Sequence, residues 1–155
     1  MSVAFRRESD EEHKEPRFEL PIPPGPNLVT ERGLELLEAK VAELETALAA
    51  ETGAAELEAL RRDLRYWQTR LATAQIAPAP PEGEIGIGSR VTARIGKATR
   101  VIDIVGGDEA DPAADRIAFS APLARALIGA TVGERVDFNG SPDAIEVLAI
   151  EESSS

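Results

Sequence analysis

Few residues in this chain have the types and spacing that catalysis or cofactor binding would require. The single histidine, His13, lies in a charged N-terminal stretch, whereas a Ser-His-Asp arrangement needs a rigidly held histidine. The segment Gly83–Gly88 precedes a strand instead of opening a helix, and it lacks the Lys-Ser/Thr of a phosphate-binding loop. There are no cysteines, which excludes disulfides and thiolate metal sites. We therefore expect no catalytic residue, no metal, no cofactor and no enzymatic activity.

The charge and hydropathy of the chain limit the partners and cellular locations that we expect for the protein. The 155-residue chain has a formal net charge of −11. This argues against direct, nonspecific binding to duplex nucleic acid, because such binding depends on basic residues that neutralise phosphates. No apolar run approaches the roughly 18 residues of a membrane span, and residues 1–10 lack the apolar core of a secretory signal. We expect a cytoplasmic protein of one or two small domains.

Composition divides the chain into five segments. Residues 1–27 mix both charge signs and end in a proline-rich run, which predicts a disordered tail. Residues 28–76 have helical periodicity, and the Pro- and Gly-rich residues 77–83 are typical of a linker. Residues 84–151 have the period of strands, and residues 152–155 are expected to be a second disordered tail.

Apolar residues recur at alternating steps of three and four in the helical segment. Thr30 is a suitable N-cap for the first helix. The segment Glu51–Gly53 interrupts the pattern, and we expect Gly53 to adopt the positive φ of a helix end. This predicts an antiparallel helical hairpin, with one long helix in an intermolecular coiled coil as the alternative. The seam residues are Leu34, Leu37, Val41, Leu44 and Leu48, then Leu57, Leu60, Leu64, Trp67, Leu71 and Ala74.

Three glutamates lie at the predicted tip of this hairpin. Glu51 precedes the turn while Glu56 and Glu58 follow it, so Glu51 and Glu56 could approach each other. The simpler interpretation is that all three are solvated charges at helix ends. Glu56 and Glu58 are then favoured by the positive N-terminus of the second helix.

The C-terminal half predicts an antiparallel sheet covered on one face by a single short helix, an α+β fold. Gly96-Lys97 and Asn139-Gly140 mark turns between strands, and the second pair is a strong hairpin signal. The predicted strands are Arg90–Ile95, Arg100–Val105, Arg116–Phe119, Arg135–Phe138 and Ile145–Ile150.

An acidic turn and a compact helix flank the third of these strands. The turn spans residues 108–115, and the helix follows the strand. Ser120 is expected to be its N-cap, Pro122 lies within its first turn, and Gly129 is expected to close it in the left-handed conformation.

Motifs in both halves of the chain resemble the Gre transcript-cleavage factors. The family's helix-opening Thr-x-x-Gly corresponds to Thr30–Gly33. Its C-terminal pattern runs Val-Gly-x-x-Glu-Ala-Asp, Ile-Ser and Ser-Pro-(Leu/Ile)-Ala-Arg-x-Leu-(Ile/Leu)-Gly. This chain matches it in order with Val105-Gly106, Glu109-Ala110-Asp111, Ile117 and Pro122–Gly129. The resemblance implies that the sheet domain is FKBP-like.

The resemblance also implies a partner, bacterial RNA polymerase. In the family this domain contacts the rim helices of the largest polymerase subunit, while the hairpin enters the secondary channel. Pro122 and Leu123 would supply apolar contact, and the acidic residues would steer encounter with basic ones. Contact with DNA or RNA would then be indirect, and we expect a monomer. The expected polymerase-binding residues are Asp108, Glu109, Asp111, Ser120, Pro122, Leu123 and Arg125.

Transcript cleavage is expected to be weak or absent. The family's tip carries Asp-Leu-x-Glu-Asn-Ala-Glu-Tyr, whose acidic residues help to hold a magnesium ion, and this chain lacks that motif. Compared with the family, the hairpin is also short by about three heptads, which removes roughly 15 Å of reach at about 1.5 Å per residue. The sequence therefore predicts an elongation regulator that docks on polymerase.

Two other functions are compatible with the sequence. A non-cleaving regulator of the Rnk type, which resembles Gre factors, would occupy the channel mouth and compete with other regulators. A scaffold or antitoxin-like protein would instead dimerise through the hairpin seam, which has almost no polar residues at its a and d positions.

Overall fold

The structure is a computed structural model that describes residues 19–152, so the expectations for residues 1–18 and 153–155 lie outside it. The chain divides into two compact units: the first holds Leu37–Ala72 with the chain up to Gly25, the second Pro26–Leu36 with the chain from Thr73. The elements are β1 (Leu28–Val29), α1 (Glu31–Ala50), α2 (Ala54–Thr73), β2 (Gln75–Ile76), β3 (Ser89–Ile95), β4 (Ala98–Val105), β5 (Arg116–Ala118), α3 (Pro122–Leu127), β6 (Arg135–Phe138) and β7 (Ser141–Glu152).

The first unit is a helical hairpin, which confirms the interpretation of the two apolar seams. Leu37 and Leu44, both in the predicted seam of α1, are 1% and 6% exposed. The seam residue Trp67 on α2 is half-buried, and the Lys40 Nζ lies 5.8 Å from its ring centroid. Each arm is 20 residues long. No helix formed by residues 19–152 combines the length and apolar character needed to cross a membrane.

The turn between the helices differs from the expectation in one respect. Gly53 is not among the described residues that have positive φ, so the predicted left-handed conformation is wrong. Its carbonyl instead accepts the N–H of Leu57 at 2.9 Å, which makes Gly53 the N-cap of α2. The break in the seam therefore comes from the start of the second helix and not from a left-handed end of the first.

An extended segment before β1 lies against the second helix of this unit. The Glu19 carboxylate accepts two hydrogen bonds from the Arg65 guanidinium, at 2.7 and 2.6 Å. The hydrogen bond from Arg65 is the main reason that the pKa of Glu19 lies below its ordinary value. Leu20 and Ile22, the next apolar residues, line a shallow cavity with Tyr66.

The second unit contains a five-stranded sheet in the order β5-β4-β3-β7-β6. The α+β class is confirmed, but the sheet is not wholly antiparallel, because β5 runs parallel to β4. The reason lies in two 3-10 turns, Gly107–Glu109 and Pro112–Ala114, which bring the chain back to the level of Asp103, so that β5 runs beside the last three residues of β4. The backbone N–H of Asp103 then bonds to the carbonyl of Asp115, which has φ +57°.

The short helix α3 covers one face of this sheet, as predicted. Its residues Ala124 and Leu127 are fully buried. They pack in one cluster with apolar side chains of three strands and of the preceding loop, namely Ile85, Val91, Ala93, Ile104, Ile145 and Val147. Gly129 ends the helix at φ +92°, which confirms the predicted left-handed closure.

The opposite face of the sheet is held by cross-strand ion pairs. Arg90 donates to both carboxylate oxygens of Asp103, at 2.8 and 3.2 Å, and Glu146 lies between Arg94 and Arg135. Opposite charges on directly paired residues stabilise a sheet.

A two-stranded parallel sheet lies outside the five-stranded one. Leu28 pairs with Gln75, and Val29, which is 1% exposed, pairs with Ile76. Asn27 extends the pairing, because its carbonyl accepts the N–H of Gln75 at 2.9 Å. The sequence did not predict this sheet, since two-residue strands are too short to display a period.

Candidate functional site

The acidic turn between β4 and β5 presents a rigid, exposed loop. Asp111 is exposed, and its backbone exchanges two hydrogen bonds with that of Arg116, at 2.8 and 3.1 Å. Asp108 is half-buried. At the end of the turn, the Asp115 carboxylate accepts a 2.7 Å hydrogen bond from Arg100. The loop that was predicted to bind a partner is therefore fixed by its own backbone and by an ion pair.

The first turn of α3 contributes most of the remaining predicted residues. Ser120, Pro122 and Arg125 are exposed, whereas Leu123 is half-buried and packs against the core. The expectation that Ser120 caps this helix is wrong: the N-cap is Ala121, whose carbonyl accepts the N–H of Arg125 at 2.9 Å. The Ser120 side chain is thus exposed beside the helix start.

Glu109 does not belong to this surface, although it was predicted there. It is 6% exposed, and its carboxylate accepts hydrogen bonds within the second unit. Oε1 accepts from the Thr30 hydroxyl at 2.6 Å, and Oε2 accepts from the backbone N–H groups of Thr30 and Gly106, both at 3.0 Å. A buried carboxylate with these partners is structural, because moving it to a partner would leave its donors unsatisfied.

Two glycines make room for this carboxylate. A Cβ atom on Gly33 would overlap the Glu109 carboxylate and lie 2.8 Å from its Cγ. A Cβ on Gly106 would lie 2.6 Å from the backbone carbonyl oxygen of Leu28. Neither glycine has positive φ, so both are required by close approach and not by backbone conformation.

Sequence reasoning missed the pairing of Thr30 with Glu109. A signal was available: the third helical position after an N-cap often carries Glu or Gln, which bonds back to the N-cap N–H. In this chain that position is Gly33, which has no side chain to do so. The glycine shows that no local side chain can bond to the Thr30 N–H, but the sequence does not show that a distant carboxylate does so.

The hairpin tip brings Glu51 and Glu56 to the two sides of Gly53. The Glu51 Oε2 accepts the N–H groups of Thr52 and Gly53 at 3.2 and 3.0 Å. A Cβ on Gly53 would overlap the Glu56 carboxylate and lie 3.4 Å from the Glu51 Oε2. Glu58, like Glu56, is exposed. Within residues 19–152, no group of three or more His, Cys, Asp or Glu side chains is placed to hold a metal ion.

Comparison with known proteins decides the family. The family described as transcription elongation factor GreA/GreB, C-terminal domain, matches residues 80–152. Transcription elongation factor GreA of Mesoplasma florum is 34% identical over 108 residues, which cover 66% of this chain and 67% of that protein. The chain belongs to the GreA/GreB family. GreA of Agrobacterium fabrum is 44% identical over 54 residues, so this match spans about a third of that protein's length (34%).

Solved structures of GreA/GreB-type factors also align with this family member. The GreA factor homolog Gfh1 of Thermus thermophilus is 20% identical at a TM-score of 0.38, over 82% of this chain and 99% of that one. A GreA/GreB factor from Nitrosomonas europaea is 17% identical at a TM-score of 0.39, over 82% and 98%.

In this GreA/GreB-family protein the C-terminal motif residues have two different placements. Val105, Gly106 and Glu109 are buried within the second unit, whereas Asp111 and the start of α3 are on the surface. All of them lie within the matched residues 80–152, whereas the hairpin tip lies outside this range.

Proposed function

We propose that this GreA/GreB-family protein binds bacterial RNA polymerase and regulates transcription elongation in the cytoplasm. The observation that carries the proposal is the exposure of Asp111, Ser120, Pro122 and Arg125 within the segment that the family matches. These residues include a carboxylate, a guanidinium and a rigid apolar ring, which suit a mixed polar and apolar protein interface.

The proposed docking surface consists of the acidic turn and the start of α3, without Glu109. Its members are Asp108, Asp111, Ser120, Pro122, Leu123 and Arg125. The proposed partner is the pair of rim helices of the largest polymerase subunit, at the mouth of the secondary channel. Asp111 and Arg125 carry opposite charges, which favours one orientation on a partner with complementary charges.

We further propose that docking occurs with weak or no stimulation of transcript cleavage. Glu51, the only tip carboxylate that precedes the turn, is bonded to the backbone of that turn. Each 20-residue arm of the hairpin is about 30 Å long at about 1.5 Å per residue. A tip with an engaged carboxylate on short arms supports a role in docking or channel occupancy.

A monomer is the proposed state in solution. The apolar seams of α1 and α2 bury Leu37 and Leu44 within one chain, so the seam does not need a second copy to be covered. This favours the polymerase-binding function over a dimeric scaffold, and sedimentation of the purified protein would measure it directly.

A pull-down with core RNA polymerase at near-physiological salt tests the proposed function. The wild type should be retained, and Arg125→Glu should reduce retention at least tenfold. Lys97→Glu is the matched control, because it makes the same charge reversal at an exposed residue in the β3–β4 turn. Failure of the wild type to bind, or equal loss in both variants, would contradict the proposed docking surface.

A further inference from the structure

We propose that Glu109 is a positioning residue that caps the first hairpin helix from the sheet domain and couples the acidic turn to the root of the hairpin. The coupling half of this inference rests on the proposed function, because it concerns a partner bound at the acidic turn. The capping half concerns the free protein alone. Every contact that carries it lies within the second unit.

The hydrogen bonds around Thr30 form a capping box whose acidic member comes from elsewhere in the chain. The Thr30 Oγ1 accepts the N–H of Gly33 at 3.0 Å, as an N-cap hydroxyl does. In a local capping box the side chain at Gly33's position would accept the N–H of the N-cap residue. Here Glu109, 79 residues away from Thr30, accepts that N–H and also the hydroxyl hydrogen.

The absence of a side chain at Gly33 is what makes this substitution possible. The Glu109 carboxylate lies where the Cβ of any other residue at position 33 would be. It also lies at the N-terminus of a 20-residue helix, where a negative charge is stabilised by the helix dipole. Residues of the Thr-x-x-Gly and Glu-Ala-Asp motifs therefore contact each other: Thr30 donates hydrogen bonds to Glu109, and Gly33 leaves room for its carboxylate.

The same carboxylate also accepts a hydrogen bond from the residue that begins the acidic turn. Its Oε2 is shared between the N–H of Thr30 and the N–H of Gly106, which opens the 3-10 turn Gly107–Glu109. Asp108 and Asp111 of the proposed docking surface flank Glu109 in sequence. A partner that orders this loop would also favour the capped start of α1, and linkage requires that the cap favour the partner by the same factor.

Hydrogen exchange in the free protein tests the cap. The N–H groups of Gly33 and Leu34, which bond to Thr30 Oγ1 and the Thr30 carbonyl, report whether the first turn is closed. Glu109→Ala should raise their exchange about 10- to 100-fold, the effect of losing hydrogen bonds to a charged acceptor. Glu109→Gln should raise it less, because an amide oxygen still accepts. The matched control Glu45→Ala, at an exposed glutamate in the middle of α1, should leave it unchanged.

Circular dichroism establishes that each variant is folded. If Glu109→Ala does not fold, Glu109→Gln decides the matter at the same two amides. Exchange that stays at the wild-type rate in folded Glu109→Ala, or in Glu109→Gln where the alanine variant does not fold, would overturn the cap.

The coupling is tested by repeating the exchange measurement with core RNA polymerase bound. Binding should slow the exchange of Gly33 and Leu34 at least threefold in the wild type. The slowing should be lost in folded Glu109→Ala that is still captured, and it should be smaller in Glu109→Gln than in the wild type. Unchanged exchange in the bound wild type would overturn the coupling while leaving the cap intact. If the wild type does not bind polymerase at all, the proposed function and the coupling fail together, and the free-protein measurement alone decides the cap.

Discussion

Glu51 bonds to the backbone of the residue two positions after it, with its Oε2 3.0 Å from the amide nitrogen of Gly53. This contact, together with the 3.2 Å bond to the N–H of Thr52, makes the carboxylate part of the turn. A carboxylate in this position stabilises the shape of the tip, and a metal ion bound at Oε2 would compete with these two backbone hydrogen bonds.

Transcript cleavage should therefore be independent of the tip glutamates. In reactions with backtracked RNA, magnesium and purified polymerase, we expect the wild type to leave the cleavage rate unchanged. Glu51→Ala and Glu56→Ala should behave in the same way. A burst of cleavage that the wild type produces and Glu51→Ala lacks would show that the tip delivers metal despite its geometry.

Two glycines at helix ends should respond differently to alanine. Gly129 has φ +92°, so Gly129→Ala should lower the free energy of unfolding by about 1–2 kcal/mol through left-handed strain. Gly53 lacks positive φ, and only the mobile carboxylate of the exposed Glu56 must move, so Gly53→Ala should cost about 0.5 kcal/mol as a weaker N-cap. Urea denaturation followed by circular dichroism measures both, and a larger cost at Gly53 would contradict the description of the tip.

The ion pair between Arg90 and Asp103 should matter more for stability than its neighbour on the same face. Asp103 is only 8% exposed, so Arg90→Met removes two hydrogen bonds from a nearly buried carboxylate. Hydrogen bonding to Asp103 raises the pKa of Arg90, in accord with this pairing. Arg94→Met, which breaks a more exposed pair with Glu146, is the control and should lower the urea midpoint less.

The pairing of Glu19 with Arg65 should be visible in a carboxyl titration. The hydrogen bond from Arg65 lowers the pKa of Glu19 below 4.5. Because the folded-state pKa is lowered, the contact contributes fully above the ordinary value and is lost as the pH falls through the lowered one. In an NMR titration, Arg65→Met should raise the pKa of Glu19 towards 4.5, and an unchanged pKa would show that the pair does not form in solution.

Local patterns were enough to predict the helical hairpin, the strands of the five-stranded sheet and its short helix. The apolar seam, with Leu37 and Leu44 buried as expected, predicted the hairpin. Its apolar residues are spaced by three and four along the chain, and this helical period can be recognised from nearby residues alone. Asn139-Gly140 predicted its turn because both residues adopt positive φ, at 55° and 82°. Asp111 and Arg125 are exposed, while their predicted role in binding a partner stays a prediction.

Features that depend on distant residues were not predictable in this way. Glu109 was assigned to the surface because it belongs to the acidic turn that the family resemblance assigns to a partner, and nothing local indicates a hydrogen-bond partner 79 residues earlier. The direction of β5 depends on how tightly residues 107–115 turn, which composition does not specify. A glycine at the end of a helical pattern is typical of a left-handed helix end, but Gly53 is instead the N-cap of the next helix.

The pairing of Leu28 with Gln75 and of Val29 with Ile76 places the beginning and the end of the helical hairpin side by side. The chain between these strands, α1, the tip and α2, begins and ends at this one pair of strands. Equal numbers of helical turns can therefore be inserted or deleted in both arms without disturbing the closure. Natural selection, or a protein engineer, can therefore adjust the length of the two helices separately from the paired strands that join their ends.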